Sequence, residues 1–176
     1  MADEFIEHAP GCAQLASGAT PNLYTGMIAR LFCSAEPFRV VAFTCSSPGE
    51  GVTWTVNHLR AELERTTGLR ATVVSASDLV AEQPQRNQAW PDHTTKRYRQ
   101  YDAVLVDAGS LAGNGSIIGL TRMVDAVVIV VAAGKARKED IANAVTTIDS
   151  AQGRVAGFVF NKQKKGLPAW LEKLLG

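Results

Sequence analysis

The stretch that decides the fold is RVVAFTCSSPGEGVTWTVN, residues 39–57. It starts as an apolar run, passes into a loop of Ser, Pro and Gly, and continues with a pattern typical of a helix. Loops that bind phosphate between a strand and a helix follow the pattern GxxxxGKS or GxxxxGKT, in which Lys reaches the β- and γ-phosphates and the hydroxyl binds Mg²⁺. Gly49, Gly51 and Thr53 fit this pattern, but Val52 stands where Lys is expected.

Length and composition are typical of one globular domain. The chain has 176 residues, of which 46% are hydrophobic and 20% charged, and this is enough to form a sizeable core. The net charge of +1 gives no general attraction to nucleic acid, so we expect no such partner. Because no apolar run reaches the roughly 20 residues that span a bilayer and the start lacks a signal-peptide pattern, we expect a cytoplasmic protein. Residues 1–19 are predicted as a flexible lead-in and residues 20–176 as a single domain.

The cysteines and histidines show no spacing typical of a site. Cys12, Cys33 and Cys45 are odd in number and lack a CxxC pair, and disulfides are rare in cytosolic proteins. We therefore expect buried or incidental free thiols, with neither a disulfide nor a zinc site. The three histidines are scattered without Cys or acidic partners at ligand spacing. They are expected on surfaces or helix faces.

Strand and helix patterns alternate along the chain. Apolar runs without polar alternation predict strands covered on both faces, and apolar residues at helical spacing predict helices. This order predicts a three-layer α/β fold with a mainly parallel sheet of about five strands, right-handed crossovers and helices on both faces. A long surface segment is predicted over residues 81–100. The predicted strands are 40–44, 71–74, 101–107, 125–134 and 154–162, and the predicted helices are 21–32, 53–67 (ended by Gly68), 116–122 and 137–151.

These segments resemble the cytoplasmic domain of bacterial tyrosine kinases (BY-kinases) of capsule and exopolysaccharide assembly, which are deviant-Walker P-loop ATPases related to MinD and ParA. The family loop reads approximately TSxxPGEGKST, and residues 44–54 read TCSSPGEGVTW. YDAVLVDAGSL is similar to the family's FDxVIIDTPP, VDAVVIVVAAGKARKEDI to ADGVxLVVRxGxTRxxx, and AGFVFNK to GxVxN. The resemblance covers roughly residues 20–162 and implies a P-loop NTPase-like fold.

The resemblance also implies a nucleotide site for ADP or ATP with Mg²⁺. Asn161 would contact adenine, and Thr53 and Asp107 would bind Mg²⁺ when a nucleotide is present. The remaining nucleotide-binding positions implied by the loop are Gly49, Glu50, Gly51, Val52, Thr53 and Trp54.

Several positions depart from the family pattern. Val52 removes the Lys charge but leaves the backbone amides and the helix N-terminus of the loop. Where the family has two aspartates after the second strand, this chain has Ser75 and Ser77, and Asp78 comes one residue late. A hydroxyl replaces a carboxylate neither as a base nor as a charge for Mg²⁺. Trp54 places a bulky indole close to the phosphate site, and the family's ExxRxxR motif and Tyr-rich tail are missing from the sequence.

These departures favour a pseudoenzyme with no catalytic residues, because phosphoryl transfer depends almost wholly on electrostatic positioning. We expect a protein partner, either a membrane component of polysaccharide assembly or a kinase paralogue. A nucleotide-binding switch and a residual ATPase or tyrosine kinase stay open as alternatives. Lys135, Arg137 or Lys138 could replace the missing charge, although the favoured interpretation is a solvated helix start beside Glu139 and Asp140.

The end of the sequence has a basic amphipathic pattern. The segment LPAWLEKLL, residues 167–175, follows three lysines and contains a fourth. Such a helix can lie on an anionic membrane surface, and we expect it to pack on the sheet or a partner, with peripheral membrane association as the alternative. Its apolar residues at helical spacing, called the C-terminal stripe below, are Leu167, Trp170, Leu171 and Leu174.

Overall fold

The computed structural model describes residues 23–81, 97–112, 119–121 and 123–162, together with Cys12 and Leu15. Strands and helices alternate along most of this part of the chain. In chain order the elements are α1 (Leu23–Phe32), β1 (Val40–Cys45), α2 (Val52–Thr67), β2 (Ala71–Ser75), α3 (Ala76–Ala81), β3 (Ala103–Ser110), β4 (Ala126–Ala132), α4 (Lys138–Ser150) and β5 (Val155–Asn161).

The five strands form one parallel sheet with the spatial order β2-β3-β1-β4-β5. The central strand β1 pairs with β3 and β4, and every residue of β1 and β4 is buried. Continuous burial of this kind explains why these strands read as uninterrupted apolar runs. The prediction of a mainly parallel α/β sheet of about five strands is confirmed.

Two hydrophobic clusters cover the two faces of the sheet. On the first face, α1 and α2 pack against alternate strand residues, with Ile28, Phe32 and Leu59 almost fully buried. On the second face, α3 and α4 contribute Leu79 and Ile148. Because the helices that follow β1 and β4 lie on opposite faces, a crevice opens between the carboxyl ends of these neighbouring strands.

Strand β3 is longer than predicted. The sequence pattern ends it at Asp107, but it continues to Ser110. The ladder extends because Cys45 pairs with Ser110 after a register shift in which β3 has one extra residue, and the carbonyl of Cys45 accepts the Leu111 amide at 2.8 Å. Asp107 therefore lies inside the strand, three residues before its end.

Helix α3 was not predicted, and it changes the role of Ser75, the last residue of β2, and of Ser77. The Ser75 hydroxyl accepts the backbone N–H of Asp78 at 3.1 Å, as a helix cap does, and lies 2.8 Å from the hydroxyl of Ser77. Asp78 lies in the first turn, where a carboxylate is favourable. Ser75 therefore ends the strand and caps a short helix, and Ser77 and Asp78 lie within that helix.

The prediction of three free thiols is wrong. Cys12 and Cys33 form a disulfide with Cα atoms 5.2 Å apart, and Cys45 is a free, buried thiol. Helix α1 ends at Phe32 and brings Cys33 to the edge of the first-face cluster, where Cys12 is also buried. The pair is 21 residues apart in sequence, and only tertiary packing brings its members together.

Several predictions concern residues outside the described ranges. The residues concerned are most of the lead-in, the start of the first predicted helix (residues 21–22), residues 82–96 of the surface segment, most of the predicted helix at 116–122, and the C-terminal stripe. Within the described part, none of the helices combines the length and apolar character needed to cross a membrane.

Candidate functional site

The loop between β1 and α2 lies at the crevice and turns through two left-handed glycines. Gly49 has φ 79° and Gly51, the N-cap of α2, has φ 96°, a conformation that strongly favours glycine. The Thr55 amide bonds to the Gly51 carbonyl at 3.0 Å. The N–H groups of residues 52–54 precede it and have no acceptor within the helix, so this end attracts negative charge.

Glu50 fastens the loop to the sheet. Its side chain is 1% exposed, and its carboxylate accepts the hydroxyl of Ser46 at 2.6 Å and the amides of Ser47 and Ala132 at 2.8 and 2.9 Å. These three donors compensate for removing the carboxylate from water. Although the resemblance implies Glu50 as a nucleotide-binding residue, its carboxylate serves the structure of the loop.

The side chain of Val52 is part of the core. It is 4% exposed and belongs to the first-face cluster with Val41 and Val56. An ammonium group left in this apolar surrounding would lose its hydration without gaining a partner. The position where the phosphate-loop pattern has a charge is therefore used here for packing.

Two lysines reach the loop from the ends of neighbouring strands. Lys135, in the turn after β4, donates its ammonium group to the carbonyl of Pro48 at 2.8 Å, and Lys162, directly after β5, donates to the carbonyl of Gly49 at 2.7 Å. Both lysines are exposed. The favoured sequence interpretation, an exposed helix start, is wrong for Lys135, which bonds to the loop. It is confirmed for Arg137 and Lys138, which are exposed at the start of α4.

Sequence reasoning missed the position of Lys162. A usable signal existed, because Lys162 follows the last strand and the carboxyl ends of parallel strands meet at one edge of the sheet. What the sequence lacked was the strand order, which places β5 next to β4.

Asn161 packs directly against the backbone of the loop. Its amide nitrogen donates to the carbonyl of Glu50 at 2.9 Å, and its amide oxygen accepts the backbone N–H of Lys162 at 2.8 Å. A Cβ added at Gly51 would collide with the amide nitrogen of Asn161, so Asn161 can approach the loop this closely only because residue 51 is glycine. The residue implied to contact adenine thus holds the loop in place.

The two implied Mg²⁺ ligands come together at the mouth of the crevice. The hydroxyl of Thr53 donates to one carboxylate oxygen of Asp107 at 2.6 Å, and the other oxygen accepts the Gly109 amide at 3.1 Å. Ser75 is paired with Asp107 in the register of β2 and β3. The neighbouring strand end therefore adds a hydroxyl where the family pattern has a carboxylate.

Trp54 and His58 form an exposed aromatic pair beside the loop. Trp54 is 51% exposed, and its ring stacks on that of His58 with 3.7 Å between centroids and an angle of 29° between planes. The His58 ring nitrogen Nδ1 lies 2.9 Å from the carbonyl oxygen of Trp54. The indole therefore lies along the outside of α2, and the expectation of a helix-face histidine is confirmed at His58.

Cys45, just before the loop, is unsuited to act as a nucleophile. Burial, followed by the charge of the Glu50 carboxylate, raises the pKa of its thiol to about 11. The thiol donates to the Ser47 carbonyl at 3.1 Å. It stays protonated at neutral pH, and the thiolate is the reactive form.

The chain is similar to known proteins in its structure and shows no significant match in its sequence. No family model matches the sequence, and no curated protein matches it significantly. Several solved structures do match.

Three of these structures have TM-scores between 0.52 and 0.66. The BceF tyrosine kinase domain matches with a TM-score of 0.62 and 19% identity, over 78% of this chain and 75% of that one. The chimeric protein CapA2B2 gives 0.66 and 12%, over 81% and 84%. The cell division protein MinD of Aquifex aeolicus gives 0.52 and 16%, over 72% and 70%.

The chain therefore has the P-loop NTPase-like fold of bacterial tyrosine kinase domains and MinD. This confirms the fold that the sequence resemblance implies. At identities of 12–19%, the likeness concerns the fold, and activity has to be argued from the residues at the crevice.

Proposed function

We propose that this chain is a degenerate, non-catalytic relative of the BY-kinase domain that works by binding a protein partner. The observation that carries the proposal is the burial of Val52, at 4% exposure, where the phosphate-loop pattern has Lys. Phosphoryl transfer needs fixed positive charge at the β- and γ-phosphates. A buried Val supplies none, and the exposed lysines nearby are bonded to carbonyls of the loop.

The acidic side of the crevice supports the same proposal. Asp107 provides a carboxylate, but Ser75, beside it in the sheet, and Ser77 provide hydroxyls. Glu50 is held by three donors and is buried. If Asp107 binds the metal, Ser75 and Ser77 provide neither a base for a substrate hydroxyl nor a second acidic ligand.

The partner we propose is a kinase paralogue or a membrane component of exopolysaccharide or capsule assembly, because the sequence resembles BY-kinases of that process. The exposed indole of Trp54 offers a contact, because Trp is enriched among residues that dominate binding energy. We expect the chain to bind a purified paralogous kinase domain in calorimetric titration, and Trp54→Ser to weaken that binding at least tenfold. Arg65→Ser, at the exposed far end of α2, is the matched control. Equal affinity of both variants would count against this surface.

A nucleotide-binding switch is the second candidate, favoured by Lys135 and Lys162 at the loop. Release of their ammonium groups from the carbonyls of Pro48 and Gly49 would let them pair with a phosphate. Thr53 and Asp107 would hold Mg²⁺, whose charge would neutralise phosphate oxygens. In this candidate, ADP or ATP alters partner affinity without being turned over.

Thermal unfolding with millimolar ADP or ATP, each with and without Mg²⁺, separates the two candidates. A chain that only binds a partner should show no change in Tm. A ligand at 100 times its Kd stabilises the folded state by about 2.7 kcal/mol, which corresponds to roughly 5–10 °C for a chain of this size. A Mg²⁺-dependent rise of this kind, lost in Lys135→Ala/Lys162→Ala, would show the nucleotide binding that the switch requires and overturn the purely partner-binding function.

A further inference from the structure

The edge strand β5 leaves two phenylalanines exposed. Phe158 and Phe160 are 45% and 50% exposed, whereas Val159 between them is 3% exposed. Because alternate residues of a strand point to opposite faces, both phenylalanines lie on the same face of the sheet. Contiguous exposed apolar side chains of this size mark a surface that another group covers.

The register of β5 with β4 shows which face this is. Phe158 pairs with Ile129 and Phe160 with Val131. Those β4 residues are 0% and 3% exposed and belong to the second-face cluster, together with residues of α4. Helix α4 therefore covers β4 on this face and leaves the neighbouring positions of β5 open.

The same face of the sheet carries further partly exposed apolar side chains. On α4, Ile141 and Val145 pack on the second-face cluster but remain only partly buried. The outer backbone edge of β5 pairs with no other strand of the described sheet. Its sequence, VAGFVFN, contains neither the charges nor the Pro that commonly protect an exposed edge. The surface is thus suited to an apolar occupant.

We propose that residues 163–176 of this chain fold back and cover Phe158 and Phe160 with the C-terminal stripe. The segment begins two residues after β5 ends, and Lys162 between them has φ 57°, which turns the chain out of the strand direction. Pro168, just after the start of the stripe, is well placed at the first turn of a helix.

The dimensions and the connection fit this occupant. A helix of about ten residues is about 15 Å long, and Phe158 to Asn161 spans about 10 Å of strand. The stripe Leu167, Trp170, Leu171 and Leu174 is apolar, as is the surface beneath it. Because the segment is tethered beside its site, docking is intramolecular and occurs at a high effective concentration.

Docking would connect the C-terminal segment to the loop between β1 and α2. Asn161 and Lys162 lie between β5 and the segment, and they bond to the carbonyls of Glu50 and Gly49. A docked segment would hold both residues against the loop. This link goes beyond the proposed function and does not depend on whether the loop binds a nucleotide.

Trp170 fluorescence in the full chain tests the proposal. The chain has three tryptophans, so Trp54→Phe/Trp90→Phe leaves Trp170 as the only indole. We expect the emission of Trp170 in the folded chain at a shorter wavelength than in urea, independent of protein concentration.

Phe158→Ser/Phe160→Ser should shift this emission to longer wavelength and increase its quenching by acrylamide. Thr146→Ser on the exposed side of α4 is the matched control and should leave the emission unchanged. Far-UV circular dichroism checks that each variant is folded.

Four results would overturn the proposal. Emission of Trp170 already at its solvent-exposed wavelength, or unaffected by the Phe variants, would show that the stripe does not cover β5. A blue shift that disappears on dilution would identify a second copy as the occupant. A blue shift that appears only with vesicles containing anionic phospholipid would identify a membrane surface.

Discussion

Glu50→Ala is expected to lower the free energy of unfolding by about 3–5 kcal/mol. The substitution removes the acceptor of the buried Ala132 amide and of the Ser47 amide, and each buried donor left without a partner costs about 1–3 kcal/mol. It also releases the hydroxyl of Ser46. Glu50→Gln keeps the volume and one acceptor oxygen, so its loss should be intermediate. Urea unfolding followed by circular dichroism measures the difference.

Glu36→Ala is the control for this experiment, because Glu36 is an exposed carboxylate in the segment before β1. Exposed substitutions of this kind usually change stability by less than about 0.5 kcal/mol. If Glu50→Ala lost no more than Glu36→Ala, the carboxylate would not fasten the loop to β4, and the buried hydrogen-bond network would be refuted.

Removal of the Cys12–Cys33 disulfide is expected to destabilise the chain by about 3 kcal/mol, because a cross-link between residues 21 apart restricts the unfolded chain. Cys12→Ala/Cys33→Ala and reduced wild type should unfold at similar urea concentrations, both below that of oxidised wild type. Reductant should not affect the double variant.

Thiol titration supplies an independent check on the disulfide. Wild type prepared without reductant and then unfolded should show one reactive thiol, that of Cys45. Three reactive thiols would contradict the Cys12–Cys33 pair.

Much of the fold could be predicted from local sequence patterns. The run VVAFTC reads as a strand covered on both faces, and the glycines around α2 mark its ends, because left-handed backbone strongly favours glycine. Alternation of strands and helices then restricts the topology to a parallel sheet. These signals act over a few residues, so sequence order alone is enough to detect them.

Features that depend on distant neighbours were missed. Lys162 reaches Gly49 because β5 lies beside β4, and β3 runs past Asp107 because β1 continues beside it. Cys12 meets Cys33 through packing on the first-face cluster. None of these relations has a fixed sequence spacing, so each needed the three-dimensional arrangement.

Val52 is best understood together with its surroundings. The loop keeps its glycines and its helix N-terminus, but its Lys position is packed into the core. Positive charge near the loop comes from Lys135 and Lys162 at the ends of neighbouring strands, and both donate to carbonyls of the loop. These bonds hold the loop, and the proposed non-catalytic function rests on this arrangement together with the buried Val52.

ATP turnover tests most directly whether this loop transfers phosphate. The purified chain is incubated with γ-labelled ATP and Mg²⁺, and released phosphate and phosphotyrosine are measured beside Asp107→Asn. A non-catalytic protein should give no signal above that of Asp107→Asn. Turnover by the wild type that Asp107→Asn abolishes would contradict the proposed non-catalytic function.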